Sequence, residues 1–268
     1  MHATSSAGTT PTIRPENRPG GPGRPVVIEG LPSRGNDDMF SLNEPIIIAI
    51  DGPAGTGKSS VARELARRLG LDFLDTGAMY RAAAAVALDR GIALDEVEEL
   101  IRAVHEADIR FDWSQDPPLI LACGRAMNVR IREQDVTAVV SAYAGVKALR
   151  ELMVAQQQAI ARDHKRLVTE GRDQGSVVFP NARVKFYLDA SPRVRADRRL
   201  SQLKDSGVEA DLSNLQREIE ARDLSDKSRA VGPLTCPSDA EVVDTSNMTF
   251  EQVVNSLYEI VMAKSVAV

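Results

Sequence analysis

The residues Gly52, Pro53, Ala54, Gly55, Thr56, Gly57, Lys58 and Ser59 follow the spacing G-x-x-x-x-G-K-[ST]. Glycines at this spacing let the backbone curl until successive N–H groups face inward, where they meet phosphate oxygens at the N-terminus of a helix. The lysine, here Lys58, reaches the β and γ phosphates as a compact cation, and the next hydroxyl, Ser59, is placed to coordinate Mg²⁺. Ser60 closes the nucleotide-binding stretch. The pattern becomes evidence only between a strand and a helix. Ile46-Ile47-Ile48-Ala49-Ile50 has the length and β-branched content of a buried strand. Beyond the turn, Val61, Ala62, Leu65, Ala66 and Leu69 recur at helical spacing until Gly70. No Asn is followed by Lys, no Asp precedes a Gly by three, and Asp-Gly-x-Pro-Arg is missing. A guanine-nucleotide switch and an adenylate-type kinase are therefore disfavoured, and another small-molecule or nucleotide kinase is expected.

The rest of the chain alternates strand and helix. Leu71–Asp75 leads into an alanine-rich helix reaching about Arg90, and Asp95-Glu96-Val97-Glu98 has the look of a capping box opening another helix. Three strand-like pieces follow, Ile109–Trp113, Leu119–Leu121 and Met127–Ile131, separated by Asp116-Pro117-Pro118 and Gly124-Arg125. They read as a small antiparallel meander inserted into the βα framework. Helical material is predicted over Thr137–Arg162, strands over Leu167–Glu170, Arg183–Leu188 and Glu241–Val243, and a charged helical segment over Arg193–Arg229, opened by Ser191-Pro192. Thr249-Phe250-Glu251-Gln252 opens the last helix. Such alternation implies a parallel sheet covered on both faces.

Composition sets outer limits. A chain of 268 residues, 43% hydrophobic and 26% charged, suits an ordinary globular protein with a substantial core. Six of the 14 prolines and six of the 18 glycines fall within residues 1–44, which read as a disordered tail. The net charge of −5 argues against nucleic acid as the main partner. No apolar run approaches a membrane span and the N-terminus does not resemble a secretory signal, so a cytoplasmic location is expected. Cys123 and Cys236 are expected to be buried or half-buried thiols in a reducing compartment.

Four stretches, Asp51–Ser60, Asp75–Arg81, Gly171–Pro180 and Arg222–Leu234, in that order and spacing, resemble the successive signatures of bacterial cytidylate kinases, P-loop kinases of nucleoside monophosphates. The resemblance spans about Pro45 to Ala263. It implies an α/β fold: a P-loop NTPase-type parallel sheet flanked by helices, with a monophosphate-binding insertion at about 78–164 and a helical lid at about 192–232. The core is then 45–77, 165–191 and 233–268. It further implies Mg²⁺-assisted transfer of the ATP γ-phosphoryl group to CMP or dCMP, as in pyrimidine metabolism, by a monomer acting on small molecules, with neither nucleic acid nor membrane as partner.

On this resemblance Arg81, Arg172 and Arg229 gather the acceptor phosphate, a task suited to bidentate guanidinium groups, with Thr76 and Tyr80 as neutral donors. Ser141, Arg150 and Asp173 surround the cytosine ring. An ionised Asp only accepts hydrogen bonds, so it suits the amine of cytosine and faces the carbonyl of uracil badly. Arg222 and Asp226 hold the sugar hydroxyls, and the lid arginines Arg195 and Arg198 swing onto the donor phosphates. Lys58, Arg172, Arg229, Arg195 and Arg198 are the expected catalytic set. Without the resemblance the same residues read more plainly: Tyr80 and Arg81 as a core tyrosine with a solvated arginine, Asp75 as a helix cap, Ser141 and Arg150 as surface residues. Asp189 imitates a metal-binding acid but reads better as structural. Gln174 stands where the family usually has an apolar residue, Ser176 where Thr is frequent, and Thr235-Cys236 where a lysine is common. Another monophosphate or metabolite as acceptor, and a nucleotide-dependent switch or RNA binder, remain as rival readings.

Overall fold

The computed structural model describes residues 44–205 and 207–266. The tail expected over 1–44 lies outside these residues except for Glu44. The isoleucine-rich run forms β1 (Ile46–Asp51), at the centre of a five-stranded sheet. β6 (Arg166–Gly171) and β7 (Val184–Asp189) flank it, with β2 (Asp72–Asp75) outside β6 and β8 (Glu241–Asp244) outside β7. All four pairings are parallel, so each connection must cross over. Register brings Asp51 opposite Gly171 and Asp75 opposite Glu170. The strands therefore finish level at the carboxyl edge, where open α/β sheets bind ligands.

The two sheet faces carry separate apolar clusters because neighbouring strand residues point to opposite sides. Val168, Ile48, Ile50 and Phe186 pack with α1 (Lys58–Leu69) and α8 (Phe250–Val266), through Val61, Leu65, Val254 and Leu257. Leu167 and Leu74 belong to the other cluster, built on α2 (Thr76–Arg90), α3 (Val97–Glu106), α4 (Gln134–Tyr143) and α5 (Lys147–Asp163). Five consecutive alanines or valine, Ala82 to Val86, are buried on α2, since small side chains let neighbouring helices close around it. Among the described residues no helix is long and apolar enough to cross a membrane.

The inserted meander is present with one change. β3 (Arg110–Asp112) and β4 (Leu119–Ala122) pair antiparallel as expected, but the third strand, β5, is Arg125–Ala126 and not Met127–Ile131. Cys123 and Gly124 both adopt positive φ, 52° and 71°, making a two-residue hairpin that forces pairing to resume at Arg125. Met127 onward enters a 3-10 turn, Arg130–Arg132. The helical material expected over 137–162 is divided between α4 and α5, interrupted around Gly145. The expected capping box does not close on α3: Glu96 is the N-cap residue but makes no side-chain cap bond, and its carboxylate instead accepts from the Ala93 N–H at 2.7 Å in the preceding turn. Both cysteines are free and exposed, which overturns the buried reading; the tight hairpin puts Cys123 at its tip. His164, plain in sequence, stacks on Trp113 with ring centroids 3.8 Å apart, and its Nδ1 lies 2.9 Å from Asp72. The charged segment forms α6 (Pro192–Asp205) and α7 (Leu212–Ser228).

Candidate active site

The glycine turn lies between β1 and α1. A Cβ on Gly52, at φ 147°, would run into the Leu188 carbonyl oxygen, so only glycine lets the turn leave the sheet this closely. Gly57 at φ 89° precedes α1 and offers no side-chain cap, which leaves the first-turn amides facing a ligand. Lys58 is buried and donates to the Pro53 carbonyl at 2.7 Å. Burial, reinforced by Arg172, lowers its pKa to about 7. A phosphate brought onto Lys58 restores the charged form.

Ser59 donates to the Glu170 carboxylate at 2.8 Å. Glu170, 4% exposed at the end of β6, was not singled out in the sequence; its signal there is a carboxylate closing the strand just before Gly171-Arg172-Asp173. Asp189 instead accepts from its neighbour's N–H, Ala190, at 2.8 Å and is exposed, which fits the structural reading. A hydroxyl beside a carboxylate is a hard-oxygen pair suited to Mg²⁺, which keeps several waters and takes other ligands from nucleotide phosphates. No group of three or more His, Cys, Asp or Glu able to cage a metal exists among the described residues.

Asp51 ties the two loops together. Its carboxylate oxygens accept the backbone N–H groups of Gln174 at 2.8 Å and Gly175 at 2.7 Å. Burial raises its pKa to about 6 in spite of those bonds. Gln174 is also fixed by side chain, accepting from Thr169 at 2.8 Å and donating to Gln157 at 3.1 Å. The amide thus occupies a polar niche where an apolar residue was expected.

A cavity of about 80 Å³ opens beside the turn. All ten residues assigned by resemblance to the acceptor line it: Thr76, Tyr80 and Arg81 from α2, Ser141 from α4, Arg150 from α5, Arg172 and Asp173 after β6, Arg222 and Asp226 from α7, and Arg229 beyond it. Five arginines and three carboxylates, the third being Glu170, face this space, an excess of two positive charges by subtraction. A phosphate monoester dianion carries the matching charge.

The arginines rest on internal partners. Asp226, 1% exposed, accepts from Arg172 Nε at 2.8 Å, from Ser141 at 3.2 Å and from Arg229 at 2.5 Å. Burial works against its charge, yet Arg172 and Arg229 outweigh it and hold the carboxyl below the usual range. Arg150 pairs with Asp173, both 3% exposed, lies 5.3 Å from the Tyr80 ring centroid and is covered by Gly232. Burial pushes Asp173 upward against the opposing effect of Arg150. Arg81 donates to the Ile131 carbonyl and to Thr137, each at 2.9 Å. Burial, with Arg172 next in size, lowers the Arg222 pKa to about 10. Buried Nε atoms of Arg222 and Arg229 have no hydrogen-bond partner among the described residues.

Arg195 and Arg198 are placed elsewhere. Arg195 donates to the carbonyls of Ala190 at 2.9 Å and Ala54 at 3.0 Å and pairs with Asp223. Arg198 donates to the Thr245 carbonyl at 2.6 Å and reaches the Thr56 carbonyl at 3.4 Å. Both grip the backbone of the glycine turn and its neighbours, and neither lines the arginine-rich cavity.

Residues 48–263 match the family model for cytidylate kinase. The chain is 42% identical over 222 residues to the cytidylate kinase of Nocardia farcinica (strain IFM 10152), covering 83% of this chain and 96% of that one. It is 43% identical over 224 residues to the cytidylate kinase of Rhodococcus opacus (strain B4), covering 82% and 96%, and 39% identical over 218 residues to that of Caldanaerobacter subterraneus subsp. tengcongensis, covering 81% and 95%. A phosphate turn, a neighbouring cavity with two surplus cationic charges and this similarity across nearly whole relatives agree: the chain belongs to the cytidylate kinase family.

Proposed function

We propose that the protein transfers the γ-phosphoryl group of ATP to CMP and dCMP, giving ADP and the corresponding diphosphate. The observation that carries this reading is the convergence of five guanidinium groups, from four separate stretches of chain, on one cavity beside the phosphate turn. The segment 78–164 serves as the monophosphate-binding insertion, 192–232 as the lid, and the rest from 45 as the core.

The turn amides and Lys58 hold the donor's β and γ phosphates, while Arg81, Arg172 and Arg229 hold the acceptor's phosphate. The transfer needs little covalent chemistry from the protein; it needs attacking oxygen, phosphorus and leaving oxygen in line, and positive charge around the equatorial oxygens. Ser59, with Glu170 beside it, would hold Mg²⁺, which would supply further neutralisation of the phosphate charge. Asp173 accepts from the cytosine amine, and Ser141 and Arg150 complete the base contacts. Asp226 and Arg222 meet the sugar. At about 80 Å³ the cavity is far smaller than ordinary ligand pockets, so these residues must part from one another, chiefly by movement of the insertion and lid, to admit the nucleotide.

ADP release measured with CMP, dCMP, UMP, AMP and shikimate as acceptors tests the reading. CMP and dCMP should give the highest kcat/KM. A preference for AMP or shikimate, or strong RNA binding with no acceptor-stimulated ATP consumption, overturns it.

A further inference from the structure

The 3-10 turn at Arg130–Arg132 holds two arginines in opposite circumstances. Arg130 is spent on structure: it pairs with Asp89 at 2.7 Å, Glu133 at 2.7 Å and Asp135 at 2.8 Å. These ties pin the turn against α2 and the start of α4. Between the two arginines, the Ile131 carbonyl accepts from Arg81, so the turn is fastened directly to an arginine of the cavity. Arg132 follows at once, exposed, and its guanidinium has no hydrogen bond or ion pair among the described residues. An arginine side chain this close to the Ile131 anchor can reach the edge of the cavity that Arg81 lines.

A guanidinium carried on a pinned turn, one residue from the group that anchors Arg81 and without an acidic partner among the described residues, is free to meet an arriving anion. We infer that Arg132 is a further contact for the acceptor's phosphate, joining Arg81, Arg172 and Arg229 around the monophosphate dianion. This rests on the proposed function, since it supplies an additional group to the same substrate. A planar fork can take two phosphate oxygens at once.

The test compares Arg132→Gln, Arg132→Lys and, as a control for general loss of surface charge, Arg125→Gln on the exposed β5 hairpin. Calorimetric Kd values for CMP, cytidine and ATP are measured on the full chain, together with the steady-state split between KM and kcat. A hydrogen bond to a charged group predicts that Arg132→Gln weakens CMP about 10- to 100-fold. KM for CMP should rise in parallel, with cytidine and ATP affinities and the melting temperature unchanged. Arg132→Lys should recover part of the loss, and Arg125→Gln should match wild type. Wild-type CMP affinity in Arg132→Gln overturns the inference, as does an equal loss for CMP and cytidine. Failure of the wild-type chain itself to bind CMP refutes the proposed function as well, and so is distinguishable.

Discussion

Replacing Asp173 by Asn changes one oxygen for one NH₂ at nearly constant volume, and its effects can be worked out in advance. In the resting site Asp173 and Arg150 are an ion pair with 3% of each side chain exposed. Breaking a buried pair by removing one charge costs about 3–5 kcal/mol; because Asn still offers a carbonyl oxygen to Arg150, the lower figure applies. At 2–4 °C per kcal/mol for a chain of this size, the melting temperature should fall by about 6–12 °C. Activity at 25 °C should persist. A hydrogen bond to a charged acceptor is worth about 1.5–3 kcal/mol, so kcat/KM for CMP should drop roughly 10- to 150-fold at 1.4 kcal/mol per decade. UMP should lose less, or gain, because the new amide can donate to the uracil carbonyl. The assay is coupled ADP release with both acceptors, on protein shown to be folded by its melting curve. An unchanged CMP-to-UMP ratio, with both values falling equally, would refute the placing of Asp173 against the base.

Other perturbations probe different joints of the site. Lys58→Ala should lower kcat by about 10²–10³, the cost of removing one preorganised donor to developing charge, with CMP binding by calorimetry nearly intact. Glu170→Gln should raise the Mg²⁺ concentration needed for half-maximal ATP binding, read by calorimetric titration across Mg²⁺ levels; an unaltered Mg²⁺ requirement would separate Glu170 from the metal. For Asp51, the folded pKa of about 6 exceeds the ordinary aspartate value of 3.8. The folded state therefore holds an extra proton between those values, and the contribution to stability falls as pH rises through that window, by about 3 kcal/mol in all at 1.36 kcal/mol per unit. Urea unfolding at pH 4 and pH 7 should show Asp51→Asn losing less stability than wild type over that interval, and parallel curves would contradict the buried-acid account.

Much of this architecture was legible in the residues themselves. Four isoleucines before a glycine turn could hardly be anything but a buried strand, and Thr249 with Gln252 forms the reciprocal cap its spacing suggested, at 3.3 Å and 2.8 Å. What escaped depended on geometry that spacing does not encode. Met127–Ile131 has strand-like composition, but two positive-φ residues upstream decide where the hairpin resumes pairing. Glu170 is one acid among many until the sheet register brings it beside Ser59, 111 positions away. Arg195 and Arg198 are expected on the donor phosphates, and only the tertiary packing shows them donating to main-chain carbonyls of the phosphate turn, Ala54 and Thr56. Helical periodicity reports which face is apolar; it does not report what a polar tip touches.

The carboxylate of Asp51 has a mechanical consequence. Two amides of the segment carrying Arg172 and Asp173 hang from the last residue of the strand that launches the phosphate turn, so the proposed seats for donor and acceptor share one foundation. On the proposed function, shortening the gap across which phosphorus travels then falls to the outlying helices. Variants that stiffen those helices should slow turnover while leaving the alignment of the two seats as it was.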